Sequence, residues 1–229
     1  MRRITALLLA LFAVAGRPAL AQEVVYETVT EETIVEDAAL PAQGSERFVF
    51  TAPAPVPQGI AAFGPFRVLG RDRAALVDAT DGASPAQFAA MLRAFPAIAT
   101  LEMVECPGTE DDRANLKLGR MLHARGIATH VPDGGSVRSG GVELFLAGVH
   151  HTAAPRAEFA VHSWADEDGR EPKDYAADAP ENRAYLDYYR EMGMTPVQAA
   201  AFYTMTNSVP NAQAKWLTAA DMGKWVTVN

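Results

Sequence analysis

The 229-residue chain has a single cysteine, Cys106, so no disulfide can form within it. Without that staple, and with no His/Cys set at metal-ligand spacing, the fold must rest on an apolar core, and no metal is expected. Basic residues are also scarce: 20 Lys and Arg stand against 28 Asp and Glu, a net charge of −8. Nucleic acid and anionic membrane both favour a basic face, so neither is expected as a partner. There is no G-x-x-x-x-G-K-[ST] phosphate loop and no basic phosphate-binding cluster, so no cofactor is expected. No apolar run reaches the roughly 20 residues that a spanning helix needs.

What is present begins with a leader. Arg2 and Arg3 precede an apolar stretch from Ile4 to Ala15, and Ala19-Leu20-Ala21 gives a small-x-small pattern before Gln22. Residues 1–21 are therefore expected to be a signal peptide, cleaved on export to a bacterial periplasm or beyond, leaving no membrane span. Its loss removes Arg2, Arg3 and Arg17 and takes the net charge to −11. Residues 22–46 then carry seven acids and no base, and "TAPAPVPQG" follows at 51–59. Residues 22–62 read as an acidic, Pro-containing arm, largely flexible, with room for a strand over 47–51. One globular domain is expected over 63–229.

Within that domain, β-branched apolar runs alternate with helical patterns. "FRVLG" (66–70) and "AALVDA" (74–79) read as a strand hairpin. "SPAQFAAMLRAFP" offers Ser84 as N-cap, Pro85 at the first helical position and Gln87 at the capping-box position. Phe88, Met91, Leu92 and Phe95 follow at the spacing of a buried helix face. Strands are predicted at 99–105, 127–131 and 158–162. Helices are predicted at 110–125, ended by Gly126, at 140–148, and twice within 180–206, the second opened by Thr195-Pro196-Val197-Gln198. This alternation implies an α/β fold with a mainly parallel sheet.

Three segments could carry chemistry. "ECPGT" (105–109) is a tight turn between strand and helix, where free backbone N–H groups can bind an anion or an oxyanion. Ser139, in "VRSGGV", stands at a strand-to-helix junction and reads either as a nucleophile or as a capping serine. His162 ends an apolar strand 23 residues later and reads either as a base or as a structural histidine. His150 and His151 lack a third ligand, and His123 and His130 take the structural reading. Trp216, Trp225 and the tyrosines of "AYLDYYREMG" read as core and interface.

The order of these segments is similar to that of one family. From about Phe66 to Met222 the chain resembles the Clp-type serine peptidases of the ClpP/crotonase superfamily. "TLEMVECPGT" resembles a strand ending in a Pro-Gly-Gly turn, "VRSGGVELFLAG" a nucleophile segment, "AEFAVHSW" a histidine strand and "WLTAADM" a late helix start. The resemblance implies a ClpP/crotonase-like fold of repeated ββα units flanked by helices. It implies Ser139 as nucleophile, His162 as general base, and an oxyanion hole at the backbone of Thr109 and Gly140, with Gly108 beside them. Two departures stand out: Thr109 replaces the second glycine of the turn, and 206–215 has no acid to serve as third member. Asn211, then Asn207, could orient His162 instead; Asp221, three residues after Thr218, reads as a capping carboxylate. The expected function is an exported serine hydrolase acting on a peptide or protein substrate, as a homo-oligomer. The alternatives are a non-catalytic relative that binds a peptide or partner protein and, ranked last, acyl-thioester chemistry.

Overall fold

The computed structural model describes residues 52–229; the leader, most of the acidic arm and the 47–51 segment lie outside them. Three short strands come first, β1 (Ala61–Phe63), β2 (Phe66–Val68) and β3 (Arg73–Leu76), followed by helix α1 (Ser84–Ala94). Then come β4 (Thr100–Met103), β5 (Glu105–Cys106), α2 (Asp112–Ala124), β6 (Ala128–Val131), β7 (Ser136–Arg138) and α3 (Gly140–Leu146). The chain continues through β8 (His151–Ala153), β9 (Glu158–Val161), α4 (Pro180–Glu191), α5 (Pro196–Thr206), β10 (Lys215–Thr218) and α6 (Ala219–Met222).

These strands form two sheets, ordered β1-β2-β3-β4-β6-β8 and β10-β9-β7-β5. The expected hairpin is present as β2 and β3, antiparallel with Phe66 opposite Leu76. From β3 through β4, β6 and β8 the larger sheet is parallel. The smaller is parallel across β5, β7 and β9, with β10 antiparallel at its edge. The run expected as one strand over 99–105 is divided: β4 belongs to the large sheet and β5 to the small one. The pairs β6/β7 and β8/β9 repeat this step from one sheet to the other. A mixed α/β fold with mostly parallel sheets is thus the observed architecture.

Local capping agrees with the sequence at α5, adds a cap at α2 and departs from the sequence at α1. Asp111 accepts from Ala114 N–H at 2.9 Å and starts α2, and Thr195 with Gln198 forms a reciprocal capping box on α5. Ser84 is not the N-cap of α1; it is already helical. Its hydroxyl donates to Asp81 Oδ1 at 2.9 Å, and the same Asp81 oxygen accepts from Ala83 N–H. An aspartate three residues upstream satisfies the turn, so the serine is free to enter it.

The core joins both sheets to the helices. Phe66, Phe88, Met91, Met103, Leu122, Phe145 and Phe159 are fully buried, each contributing about 1.5–3 kcal/mol. Tyr188, Tyr189 and Phe202 from α4 and α5 are fully buried too. Of the aromatics that the sequence assigned to core and interface, Tyr188 and Tyr189 belong to the core. Tyr188 and Tyr189 dock α4 onto α3 through hydroxyl bonds to the Glu143 carbonyl (2.6 Å) and carboxyl (2.7 Å).

Candidate active site

The three singled-out segments meet because each follows the last residue of a strand in the small sheet. Pro107 follows β5, Ser139 follows β7 and His162 follows β9, and these strands are adjacent and parallel. Carboxyl ends of adjacent parallel strands lie along one edge, where loops can form a site. Beneath that edge a buried network ties the three strands together. Arg138, 3% exposed, pairs with Glu105 at 2.6 Å and donates to Ser136 Oγ, which donates to Glu158 at 2.7 Å.

Ser139 sits at φ 49°, ψ −130°, the only non-glycine at positive φ among the described residues. Such a conformation costs about 1–3 kcal/mol and persists only where the surroundings impose it. Its N–H still bonds the Ala160 carbonyl at 2.9 Å, so the residue is held in the sheet as the chain turns into α3. Its side chain makes no capping bond. The capping-serine reading is therefore excluded, and the hydroxyl has no hydrogen-bond partner, His162 included, among the described residues.

Two glycines let the neighbouring turn close onto Ser139. Gly108 has φ +134°, and a Cβ there would lie 3.0 Å from the Ser139 Cβ. A Cβ on Gly140 would lie 2.6 Å from the Thr109 methyl and 2.9 Å from Asn115 Nδ2. Thr80 bonds to Gly108 C=O and Glu110 N–H on either side of Thr109. That bridge turns the Thr109 N–H away from Thr80, without an acceptor among the described residues. Gly140 is the first residue of α3, so its N–H has no intrahelical acceptor either. Asn115, 2% exposed, fixes the pair of turns: it donates to Gly140 C=O at 2.7 Å and accepts from Thr80 Oγ1 at 2.9 Å.

His162 is half-buried, with Nδ1 2.8 Å from the Ser163 carbonyl. A carbonyl can only accept, so the proton is assigned to Nδ1, which leaves the Nε2 lone pair available. Asn211 Nδ2 donates to the same carbonyl at 2.8 Å and lies 3.2 Å from Nδ1. The Ser163 carbonyl thus holds Nδ1, and Asn211, the first of the expected orienting groups, donates to that carbonyl. Asn207 commits its amide nitrogen to Tyr203 C=O at 2.7 Å. Asp221 caps α6 through Thr218 and pairs with Lys224, and it is not among the cavity-lining residues.

Ser139, His162, Gly108, Thr109, Gly140, Asn207 and Asn211 all line one cavity of about 520 Å³. It also holds residues the sequence left unmarked, Asp112, Asn115 and Glu143, and Tyr185, which the sequence read as core or interface. Glu143 is 7% exposed; burial pushes its carboxyl up to about 7 against the pull of the Tyr189 hydroxyl. Asp112 is exposed as a residue, but its carboxyl borders the cavity, and desolvation raises it above the usual carboxylate range despite a Tyr185 hydrogen bond. Burial likewise holds the Tyr185 and Tyr189 hydroxyls well above the usual phenol range, so both stay donors. The arrangement offers an uncommitted hydroxyl, an imidazole of fixed tautomer and two free N–H groups beside one concave space.

Elsewhere His123, His130 and His151 bond Ala147 C=O, Thr152 Oγ1 and Leu146 C=O, in keeping with structural roles. Among the described residues there is no group of three or more His, Cys, Asp or Glu able to hold a metal, and no helix long and apolar enough to cross a membrane.

No protein-family model matches the chain, and none of the curated proteins matches it. Among solved structures it is similar to a variant of the 1510-N membrane-bound stomatin-specific protease in complex with a substrate peptide. Identity there is 15% and the TM-score 0.46, over 67% of this chain and 72% of that one. For the 1510-N protease specific for a stomatin homolog from Pyrococcus horikoshii the values are 13% and 0.44, over 67% and 70%. A ClpP1 variant from Listeria monocytogenes gives 16% and 0.42, over 66% and 88%.

Proposed function

We propose that the chain is a serine hydrolase, a peptidase working through an acyl-enzyme on Ser139. One observation carries the reading: a serine is held in a strained backbone conformation, spends its hydroxyl on no cap, and shares a cavity with a histidine. In this reaction Nε2 of His162 takes the Ser139 proton as Oγ attacks the substrate carbonyl. The carbonyl oxygen gains negative charge and accepts from the Thr109 and Gly140 N–H groups. Collapse of the intermediate expels the amine, protonated by the imidazolium, and water then releases the acyl group by the same steps in reverse. Ser163 C=O keeps the imidazole in the tautomer that the first step requires, and Asn211 donates to that carbonyl.

The test is labelling with a fluorophosphonate probe, read by mass spectrometry. The Ser139 peptide should carry the adduct, and Ser139→Ala or His162→Ala should abolish it. Labelling at another serine, or none, would sink the reading.

A second reading rests on two specific observations: among the described residues no carboxylate hydrogen-bonds His162, and Ser139 and His162 are not hydrogen-bonded to each other. On that reading the chain binds a peptide or partner protein without cleaving it, and a bound peptide would be recovered intact after long incubation. Under either reading we propose an exported, oligomeric protein of the periplasm or cell exterior. Light scattering that shows only a monomer of ~22 kDa, from about 208 mature residues, would count against the assembly.

A further inference from the structure

We propose that the cavity beside Ser139 is a recognition pocket for a cationic group, the lysine or arginine side chain of a peptide. Its carboxyls are Asp112 and Glu143, and its walls are the rings of Trp164, Tyr185 and Tyr203. The hydrolase reading is needed only to place the scissile bond; the cation can bind without it.

The lining contains two carboxyls and four large aromatic side chains, and no Lys or Arg. Glu143 is almost entirely buried, yet among the described residues only one side chain, Tyr189, hydrogen-bonds it. Asn207 supplies an independent sign. Its Oδ1 is buried with no partner, and its Nδ2 is fixed on the Tyr203 carbonyl, so turning the amide over would set two oxygens against each other. Buried acceptors without donors are costly unless a donor arrives, and a charged donor offsets most.

The walls suit the same guest. Trp164 and Tyr185 stack with planes 6° apart and centroids 6.1 Å apart, and Tyr203 stands 6.2 Å from Tyr185. Their polar edges are already engaged: Trp164 Nε1 donates to the Tyr203 hydroxyl at 2.8 Å, which donates to Asn182 Oδ1 at 2.5 Å. The rings are thus held in place by protein groups, and a cation within about 6 Å of a ring face is attracted to it. A neutral apolar side chain would leave Asp112 and Glu143 with no charged donor, and an acidic one would add a third desolvated carboxyl. The difference should be large.

Binding is measured with the Ser139→Ala protein, so that nothing turns over, by fluorescence anisotropy of three labelled peptides that differ only in a central Lys, Leu or Glu. The Lys peptide should bind at least about tenfold tighter than the Leu peptide, as one charge-assisted bond implies, and the Glu peptide weakest. Asp112→Asn and Glu143→Gln, each added to Ser139→Ala, should each cost the Lys peptide about tenfold and leave the Leu peptide unchanged. Glu143→Gln keeps an oxygen for Tyr189, so it serves if Asp112→Asn disturbs the start of α2. Equal binding of all three peptides, a preference for Leu or Glu, or a Lys preference untouched by both substitutions overturns the proposal. Fluorophosphonate labelling of the unmodified protein separates the two ideas. A labelled protein with no Lys preference loses the pocket alone, and an unlabelled one that prefers Lys loses the hydrolase alone.

Discussion

Replacing Glu143 by glutamine should change how stability depends on pH, and the structure fixes both sign and size. The carboxyl is raised from the ordinary 4.5 to about 7 because burial penalises its charge. The native state therefore holds the proton more tightly than the unfolded chain does. That stabilisation is fully present below about pH 4.5, falls as pH rises, and is gone above about pH 7. At 1.36 kcal/mol per pH unit between the two values, the amount is about 3 kcal/mol. A glutamine keeps the shape and the acceptor for the Tyr189 hydroxyl but cannot ionise. Urea unfolding of both proteins from pH 4.5 to pH 8 gives the difference curve. Asp112, also raised by desolvation, tilts both profiles in the same direction, and only its coulombic coupling to Glu143 survives in the difference. The variant should gain on the wild type by about 2–3 kcal/mol as pH rises, with the gain confined to the interval below about pH 7.5. A difference that stays flat across that range would refute the claim that Glu143 is buried and unpaired by a cation in the free protein.

Gly108→Ala should cost about 1–3 kcal/mol of stability, from its φ of +134° and the Ser139 Cβ 3.0 Å from the new methyl. It should also slow fluorophosphonate labelling; a wild-type melting curve and rate would show that the turn does not press on Ser139. Asn115→Ala leaves the Thr80 hydroxyl and the Gly140 carbonyl without their buried partner, about 2–4 kcal/mol by urea unfolding. Asn211→Ala should slow labelling by about tenfold or less, since the Ser163 carbonyl still holds Nδ1; complete loss would make Asn211 the essential orienting group. Protein recovered from a bacterial envelope fraction should begin within two residues of Gln22 by intact mass, and a retained Met1 would contradict export.

The long, periodic elements were legible because burial and spacing coincide in them. Phe88, Met91 and Leu92 line the buried face of α1, and Gly126 ends α2 at φ +66°. Strands β7, β8 and β10 were not legible. Three or four residues carry no measurable alternation, and Arg138 reads as exposed until Glu105 and Ser136 are seen beside it. The division of 99–105 between two sheets leaves no mark on composition either. Around the cavity, turn chemistry and strand ends marked Ser139, His162 and the Pro-Gly turn as candidates, while their roles came only from the resemblance. Asp112 and Glu143 could not be marked, since acids in a first helical turn are ordinary companions of the helix dipole. What distinguishes them is the aromatic cover from α4 and α5, a tertiary fact. Asp221 showed the reverse: its place three residues after Thr218 marked it as a cap, which it is.

The alignment of β5, β7 and β9 has a consequence for how such a chain can change. Each site group stands directly beyond the last paired residues of its strand, with Cys106 opposite Val137 and Arg138 opposite Ala160. Side chains alternate along a strand, so gaining or losing one residue inside β7 or β9 would swing Ser139 or His162 to the opposite face. The connections that leave and re-enter the sheets face no such rule. A longer α2, or extra residues between α3 and β8, would leave both strand ends where they are. The intervals of 30 residues from Thr109 to Ser139 and 23 from Ser139 to His162 are therefore free to drift, while the steps from strand to turn are not. A search pattern for distant homologues should hold three short strand-to-turn words constant and let the distances between them float.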